Sequence, residues 1–186
     1  MKKFELTTEF ITNAFGKKLF RIKALVEFGD VKAGELGGYV EKEGNVSQAD
    51  NAWVSGDAEV FGNAKVSGNA RVSGDAKVSG NARVSGDAWV SGNAWVSGNA
   101  WVSGDAWVSG NADYALVQGF GTEFRCTTFY RGKNKKIMVN CGCFHGDLEG
   151  FRKQVKETRN GKIAKEYLMI ADLMEYHFTS EDSSDE

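Results

Sequence analysis

Cys126, Cys141, Cys143 and His145 form the densest group of metal-ligating residue types in the 186-residue chain. Alternate residues of an extended strand share a face, so Cys141, Cys143 and His145 are expected to point one way. A hairpin around the turn GKN that pairs Tyr130 with Ile137 would also set Cys126 opposite Cys141. Three thiolates and an imidazole make a zinc donor set. Alternate strand positions, however, stand about 7 Å apart, whereas structural zinc sites draw their cysteines from tight turns. The expectation is therefore reduced cysteines in a small sheet, with no metal and no cofactor.

A second kind of chemistry sits in a repeat. From Asn51 to Gly110 the chain reads NAWVSG, DAEVFG, NAKVSG, NARVSG, DAKVSG, NARVSG, DAWVSG, NAWVSG, NAWVSG and DAWVSG, ten hexads without an insertion. Nearly every hexad supplies a Ser hydroxyl, but the array holds no His to activate one; His145 and His177 both lie beyond it. No catalytic residue is assigned, and turnover is not expected. The variable position runs Trp53, Glu59, Lys65, Arg71, Lys77, Arg83, Trp89, Trp95, Trp101, Trp107 and then Asp113. Lys65, Arg71, Lys77 and Arg83 would form a basic belt, and Trp89, Trp95, Trp101 and Trp107 an aromatic belt one turn further on. Trp and Arg anchor interfaces and stack on bases, so the two belts are the candidate binding residues. Arg71 beneath Trp89 is placed for a cation–π contact. Asp57 with Asp75, and Asp87 with Asp105, lie 18 apart and would bring carboxylates together at two corners. Hard cations take about six or more oxygens, so these aspartates are read as solvated turn residues.

The elements that position these residues follow from the period. An α-helix of about 3.6 residues per turn would carry Ala and Val of a six-residue repeat round every face, whereas Ala in, variable residue out and Val in is a short strand. Ser-Gly-Asn/Asp is then a corner, because Gly takes positive φ freely and Asn or Asp tolerates it. Three strands and three corners make a triangular coil of 18 residues, stacked about 4.8 Å from the next. The fold expected is mainly β: a triangular hexapeptide β-helix over residues 46–116 with a flank on either side. Residues 1–45 read as an N-terminal β-hairpin and solenoid cap, with Phe20, Ile22, Ala24 and Val26 on one strand face. Val40 and Val46, six apart, mark a degenerate start of the coils. Residues 117–179 read as an α+β domain in the order ββαα. Its first helix carries Leu148, Phe151 and Val155 behind the N-cap Asp147, and its second carries Ile163, Tyr167, Ile170, Leu173, Met174 and Phe178. Residues 180–186 read as a disordered acidic tail.

Composition narrows the function classes. Twenty-three Lys and Arg against 25 Asp and Glu leave a charge of −2, so no overall basic field favours nucleic acid or an acidic membrane, and sequence-specific DNA binding is not expected. Residues 117–179 carry a local excess of four positive charges, 11 basic against 7 acidic, read as a solvated surface. MKKFELTTEF lacks an apolar stretch, no long apolar run follows, and three cysteines make no disulfide framework, so a cytosolic protein is expected.

The array is similar to the hexapeptide repeat of left-handed β-helices, as in the acyltransferase family, and that resemblance alone supplies a handedness. Through LFRIKAL, GDVKAGELGGYVEKEGNVSQ, the NAxVSG array, VNCGCFHGDLEGF and AKEYL, the chain resembles a group of uncharacterised phage and prophage proteins. The resemblance implies a viral accessory protein in the host bacterial cytoplasm and brings no catalytic residues. Expected partners are a host protein, a defence protein included, or a small signalling nucleotide, with homo-oligomerisation through the tryptophans. A self-assembling structural solenoid is the alternative, and a hexapeptide-type acyltransferase the third reading.

Overall fold

A computed structural model describes residues 2–179. The acidic segment 180–186 lies outside the described residues. The chain divides into two compact units, the first ending at Asn111 and the second starting at Ala112.

The first unit is a β-solenoid behind an antiparallel cap. Strands β1 (Phe4–Thr12), β2 (Lys18–Ala24) and β3 (Leu36–Val40) precede ten two-residue strands, one per hexad. These are β4 (Trp53–Val54), β5 (Glu59–Val60), β6 (Lys65–Val66), β7 (Arg71–Val72), β8 (Lys77–Val78), β9 (Arg83–Val84), β10 (Trp89–Val90), β11 (Trp95–Val96), β12 (Trp101–Val102) and β13 (Trp107–Val108). They stack as three parallel sheets, β4-β7-β10-β13, β5-β8-β11 and β6-β9-β12, the second extended by β3, β2 and β1. Each residue pairs with the one 18 positions on, Arg71 with Trp89 and Trp89 with Trp107. All ten hexad alanines and all ten hexad valines are buried. Each buried valine contributes about 1.5–3 kcal/mol, more than the roughly 0.5–1 kcal/mol entropy penalty of a corner glycine, so the core carries the fold.

The corners obey two constraints at once. Gly86 sits at φ +68°, and a Cβ built on it would stand 2.8 Å from the backbone nitrogen of Gly104 in the next coil. Left-handed backbone and direct backbone-to-backbone contact both exclude a side chain there. The corner Asn and Asp do not share the left-handed role: among the described residues only Asp50, Phe124 and Lys135 combine positive φ with a side chain. They instead form ladders, Asn51 Nδ2 donating to Asn69 Oδ1 (3.0 Å) and Asn69 Nδ2 to Asp87 Oδ1 (2.9 Å). A second ladder runs Asn63 to Asn81 to Asn99 at 3.2 and 3.0 Å.

The array begins where the degenerate hexads place it, Val40 pairing with Val60 and Val46 with Val66. Both pairs are 20 apart rather than 18, because two extra residues bulge before Asn51, with Asp50 at φ +56°. Lys3 fastens this bulge: its buried ammonium donates to the carbonyls of Ala49 (3.2 Å), Asp50 (3.2 Å) and Ala52 (2.8 Å). Burial pushes that ammonium down to about 8, with Asp50 pulling it up and Arg71 down. The Gln48 amide brackets β1, accepting from Lys3 and Phe4 N–H and donating to the Phe4 carbonyl. On β2, Ile22 and Ala24 are buried as expected, whereas Phe20 is half-buried against Phe10 and Val26 falls beyond the strand.

The second unit is a four-stranded antiparallel sheet, β14 (Tyr114–Phe120), β15 (Arg125–Arg131), β16 (Ile137–Cys141) and β17 (Phe144–Asp147), followed by α1 (Leu148–Thr158) and α2 (Gly161–Thr179). The order is ββββαα rather than ββαα. Residues 114–116 belong to β14, so the last coil strand is β13. Asp147 caps α1 by accepting from the Gly150 N–H at 2.9 Å. Leu148, Phe151 and Val155 meet Phe129, Val139, Ile170, Ala171, Met174 and Phe178 in one core, while Leu173 is exposed, Ala171 taking the inward place. Arg152 ties the helices together, bonding Glu149, Asp172 and Glu175 at 2.7–2.8 Å, and Glu175 foremost raises its pKa. Among the described residues no helix is long and apolar enough to cross a membrane.

The corner constraint predicts the cost of one methyl group. Gly16→Ala, at φ +71° with nothing within 4 Å of its Cβ, carries the backbone penalty alone. Gly86→Ala adds a clash with the next coil, and in chemical denaturation it should lose about 1–3 kcal/mol more than Gly16→Ala. Equal losses would contradict the close-contact reading.

Candidate functional site

The outward residues stand in columns. The first carries Trp53, Arg71, Trp89 and Trp107, the second Glu59, Lys77 and Trp95, and the third Lys65, Arg83 and Trp101. Trp89, Trp95, Trp101 and Trp107 are 46, 38, 41 and 42% exposed. They are oriented as well as displayed. The indole N–H of Trp89 donates to Ser73 Oγ (3.1 Å), that of Trp95 to Ser79 Oγ (2.9 Å) and that of Trp101 to Ser85 Oγ (3.2 Å). Each ring therefore lies back over the corner of the preceding coil, and the repeated serines hold indoles. Trp89 and Trp107 stack with ring centroids 5.5 Å apart and planes at 18°.

The N-terminal cap edits this surface in ways a hexad cannot announce. Trp53 has the same outward position but is 1% exposed, covered edge-on by Phe4 (6.2 Å) and Phe28 (5.4 Å). Gly37 permits that cover, since a Cβ there would stand 2.7 Å from Trp53 Cζ2 and 2.6 Å from the Val54 carbonyl. On the second column Phe15, at the tip of the β1–β2 turn, bridges Phe61 (5.7 Å) and Trp95 (5.5 Å). Phe15 carries no signal in the sequence, whereas Phe61 is marked by DAEVFG, the one hexad with Phe in place of Ser.

The basic belt separates into paired and unpaired members. Arg71 is engaged by Asp30 of the cap, not by the face of Trp89, and burial lowers its pKa. Lys77 pairs with the mostly buried Glu59 at 3.2 Å. Lys65 and Arg83 have no carboxylate partner among the described residues and stand in register with Trp101 on the third column. That column alone combines unpaired cations with an exposed indole. Asp113 leaves the array and pairs with Arg131 at 3.0 Å.

The cysteine group does not assemble as the alternation suggested. The β15–β16 register is displaced by one residue, Tyr130 facing Met138 and Thr127 facing Cys141, so Cys126 alternates to the other face. Gly142, at φ +62°, turns the chain between β16 and β17, and Cys141, Cys143 and His145 do not share a strand face. Cys141 packs against the helical core and accepts from Thr127 Oγ1 at 3.1 Å. Cys143 is exposed, and burial raises the pKa of Cys126, with Cys141 a lesser cause. His145 faces Asn140 across the strands, its Nδ1 2.6 Å from Asn140 Oδ1. Among the described residues no group of three or more His, Cys, Asp and Glu is arranged to hold a metal.

Residues 64–80, 76–92, 90–104 and 94–110 match the pattern of the YdcK beta solenoid repeat, to which the array is similar. The chain compared with curated proteins gives no significant match. The repeat β-helix is thus supported both by its parallel strand stacks and by its likeness to a known repeat.

Identical outward positions with opposite exposure give a direct test. The Trp53 indole N–H is buried without a partner, so Trp53→Phe removes an unsatisfied donor and is expected to fold. A protein in which the four belt tryptophans are Phe should emit at shorter wavelength and resist acrylamide quenching several-fold better than Trp53→Phe. Comparable quenching of the two would contradict the placement of Trp53 under the cap.

Proposed function

We propose that the chain is a phage-encoded, non-catalytic interaction protein that works by stoichiometric binding to a protein of its bacterial host. The observation that carries this reading is the aromatic girdle. Four indoles, each 38–46% exposed, stand on a backbone that fixes their spacing. Exposed aromatic surface held rigid by its scaffold binds at a small entropy cost, because Trp has only two side-chain torsions and three of these rings are already tethered to serines. Lys65 and Arg83 beside Trp101 favour a partner surface with carboxylates or phosphates, a small signalling nucleotide being the other target of the same chemistry.

Association between copies through the same girdle is the second reading, supported by the solenoid repeat and by the amount of exposed apolar surface. An acyltransferase reading gains nothing from the array: no His lies in it, and Ser73, Ser79 and Ser85 accept bonds from indoles.

The test is a dose titration of the protein's effect in a bacterial host, with purified partner stoichiometry measured by sedimentation. The effect should saturate at a fixed molar ratio, vanish in the variant with Trp89, Trp95, Trp101 and Trp107 all replaced by Ser, and survive in His145→Ala/His177→Ala. Repeated action of a substoichiometric amount, lost in the histidine variant while it stays folded, would overturn the proposal. A self-associating native protein whose quadruple variant is monomeric would favour the second reading.

A further inference from the structure

The C-terminal unit contains a cleft of about 80 Å³ that has no part in the reading above. Its lining includes the apolar Phe144, Phe151 and Val155 and the charged Arg125 and Arg159. We propose that this cleft binds a compact oxyanion of the phosphate class, held between the guanidinium groups of Arg125 and Arg159.

Charge accounting comes first. Arg21, Arg71, Arg131 and Arg152 each have a carboxylate partner. Arg125 and Arg159 have none among the described residues, although both line one small cavity. Glu123 is the one carboxylate of the lining, which leaves an excess of one positive charge. The two arginines come from separate elements, Arg125 opening β15 and Arg159 following α1. Both line the cleft together with Tyr167, whose pKa burial, chiefly, and Cys141 raise while Arg159 and Arg125 oppose the rise. Two guanidiniums that line one cavity without a carboxylate partner repel each other, and an anion between them relieves that repulsion.

The backbone makes room for this arrangement. Gly142 lies at φ +62°, which favours Gly at the turn between β16 and β17, and a Cβ there would stand 2.7 Å from Arg125 Nη1, so the guanidinium rests against the bare backbone of that turn. Gly121, at φ +74°, does the same for Tyr167, whose ring occupies the place of a side chain there and whose hydroxyl donates to the Phe120 carbonyl at 3.3 Å. Tyr167 spends its proton on that carbonyl and Arg159 Nη1 donates to the Thr158 carbonyl at 3.2 Å, so the donors that the lining offers a ligand are the remaining guanidinium N–H groups, the Gln154 amide and the Thr122 hydroxyl.

Size sets the ligand class. A volume of about 80 Å³ is small beside the roughly 300–1,000 Å³ of pockets that enclose drug-sized ligands, and suits a compact tetrahedral anion. Two fork-shaped donors suit phosphate oxygens. Free phosphate and the terminal group of a phosphate monoester share this chemistry, the rest of a monoester remaining outside.

Cys143 supplies the readout, because it is exposed and lines the cleft, whereas Cys126 does not line it. The full chain is alkylated with iodoacetamide at constant ionic strength, and modification at each cysteine is followed by mass spectrometry against rising inorganic phosphate or phenyl phosphate. Saturable slowing at Cys143, with Cys126 unchanged, is expected. Arg125→Gln and Arg159→Gln should each weaken half-saturation about tenfold or more. Protection by phenyl phosphate alone assigns the monoester, and protection by phosphate with equal or greater strength assigns the free anion. An unprotected Cys143 in the native protein, or equal protection by sodium chloride of the same ionic strength, overturns the proposal without any variant. Undiminished protection in both variants overturns it as well.

Discussion

Backbone contact at the corners is the constraint on which the first unit depends. Where Gly68 meets Gly86 and Gly86 meets Gly104, a methyl group would stand 3.0 and 2.8 Å from the next coil's backbone nitrogen. Coils that approach this closely can pair every strand in parallel, and they can do so only if every coil has the same length. The hexad supplies that equality. An insertion within the array would break the pairing of all later strands on that face. The one tolerated insertion, before Asn51, lies at the edge where Lys3 and Gln48 satisfy the bulged backbone.

Equal coils turn sequence repetition into columns of like side chains. Asn stacks on Asn with its amide donating along the stack, indole lies back on the serine of the previous coil, and Trp89 stacks on Trp107. None of these contacts contributes much alone, since an exposed hydrogen bond nets about 0.5–1.5 kcal/mol. Together they fix the outer surface. The surface proposed for binding is in this sense a by-product of the spacing set at the corners.

The array was legible because its signal is local and repeated: alternation within a hexad places Ala and Val inside and the variable residue outside. What the array does at its surface was not legible from the hexads. NAWVSG at 51–56 and NAWVSG at 93–98 are identical, yet Trp53 is 1% exposed and Trp95 38% exposed. NARVSG at 69–74 and at 81–86 are likewise identical, yet Arg71 is held by Asp30 while Arg83 has no carboxylate partner among the described residues. The difference comes from the cap, whose Phe4, Phe28 and Asp30 are distant in sequence. In the second unit the helix face of Leu148, Phe151 and Val155 was readable, whereas the thiol geometry turned on a one-residue register and on the turn at Gly142, neither of which a stretch such as VNCGCF reveals. The cleft residues Arg125 and Arg159 lie outside any motif, and only folding brings them together.

The central claim is that equal 18-residue coils, locked at their corners, build the solenoid and its outer columns. Deleting residues 69–86 removes three hexads and should leave every remaining strand with a partner of the same face. Deleting residues 69–77 removes a hexad and a half and should place alanines and valines outside in every later coil. Thermal unfolding followed by far-ultraviolet circular dichroism compares the two. The account predicts a cooperative transition with native-like β signal for the whole-coil deletion and none for the half-hexad deletion. Equal behaviour of the two proteins, whether both fold or both fail, would contradict it.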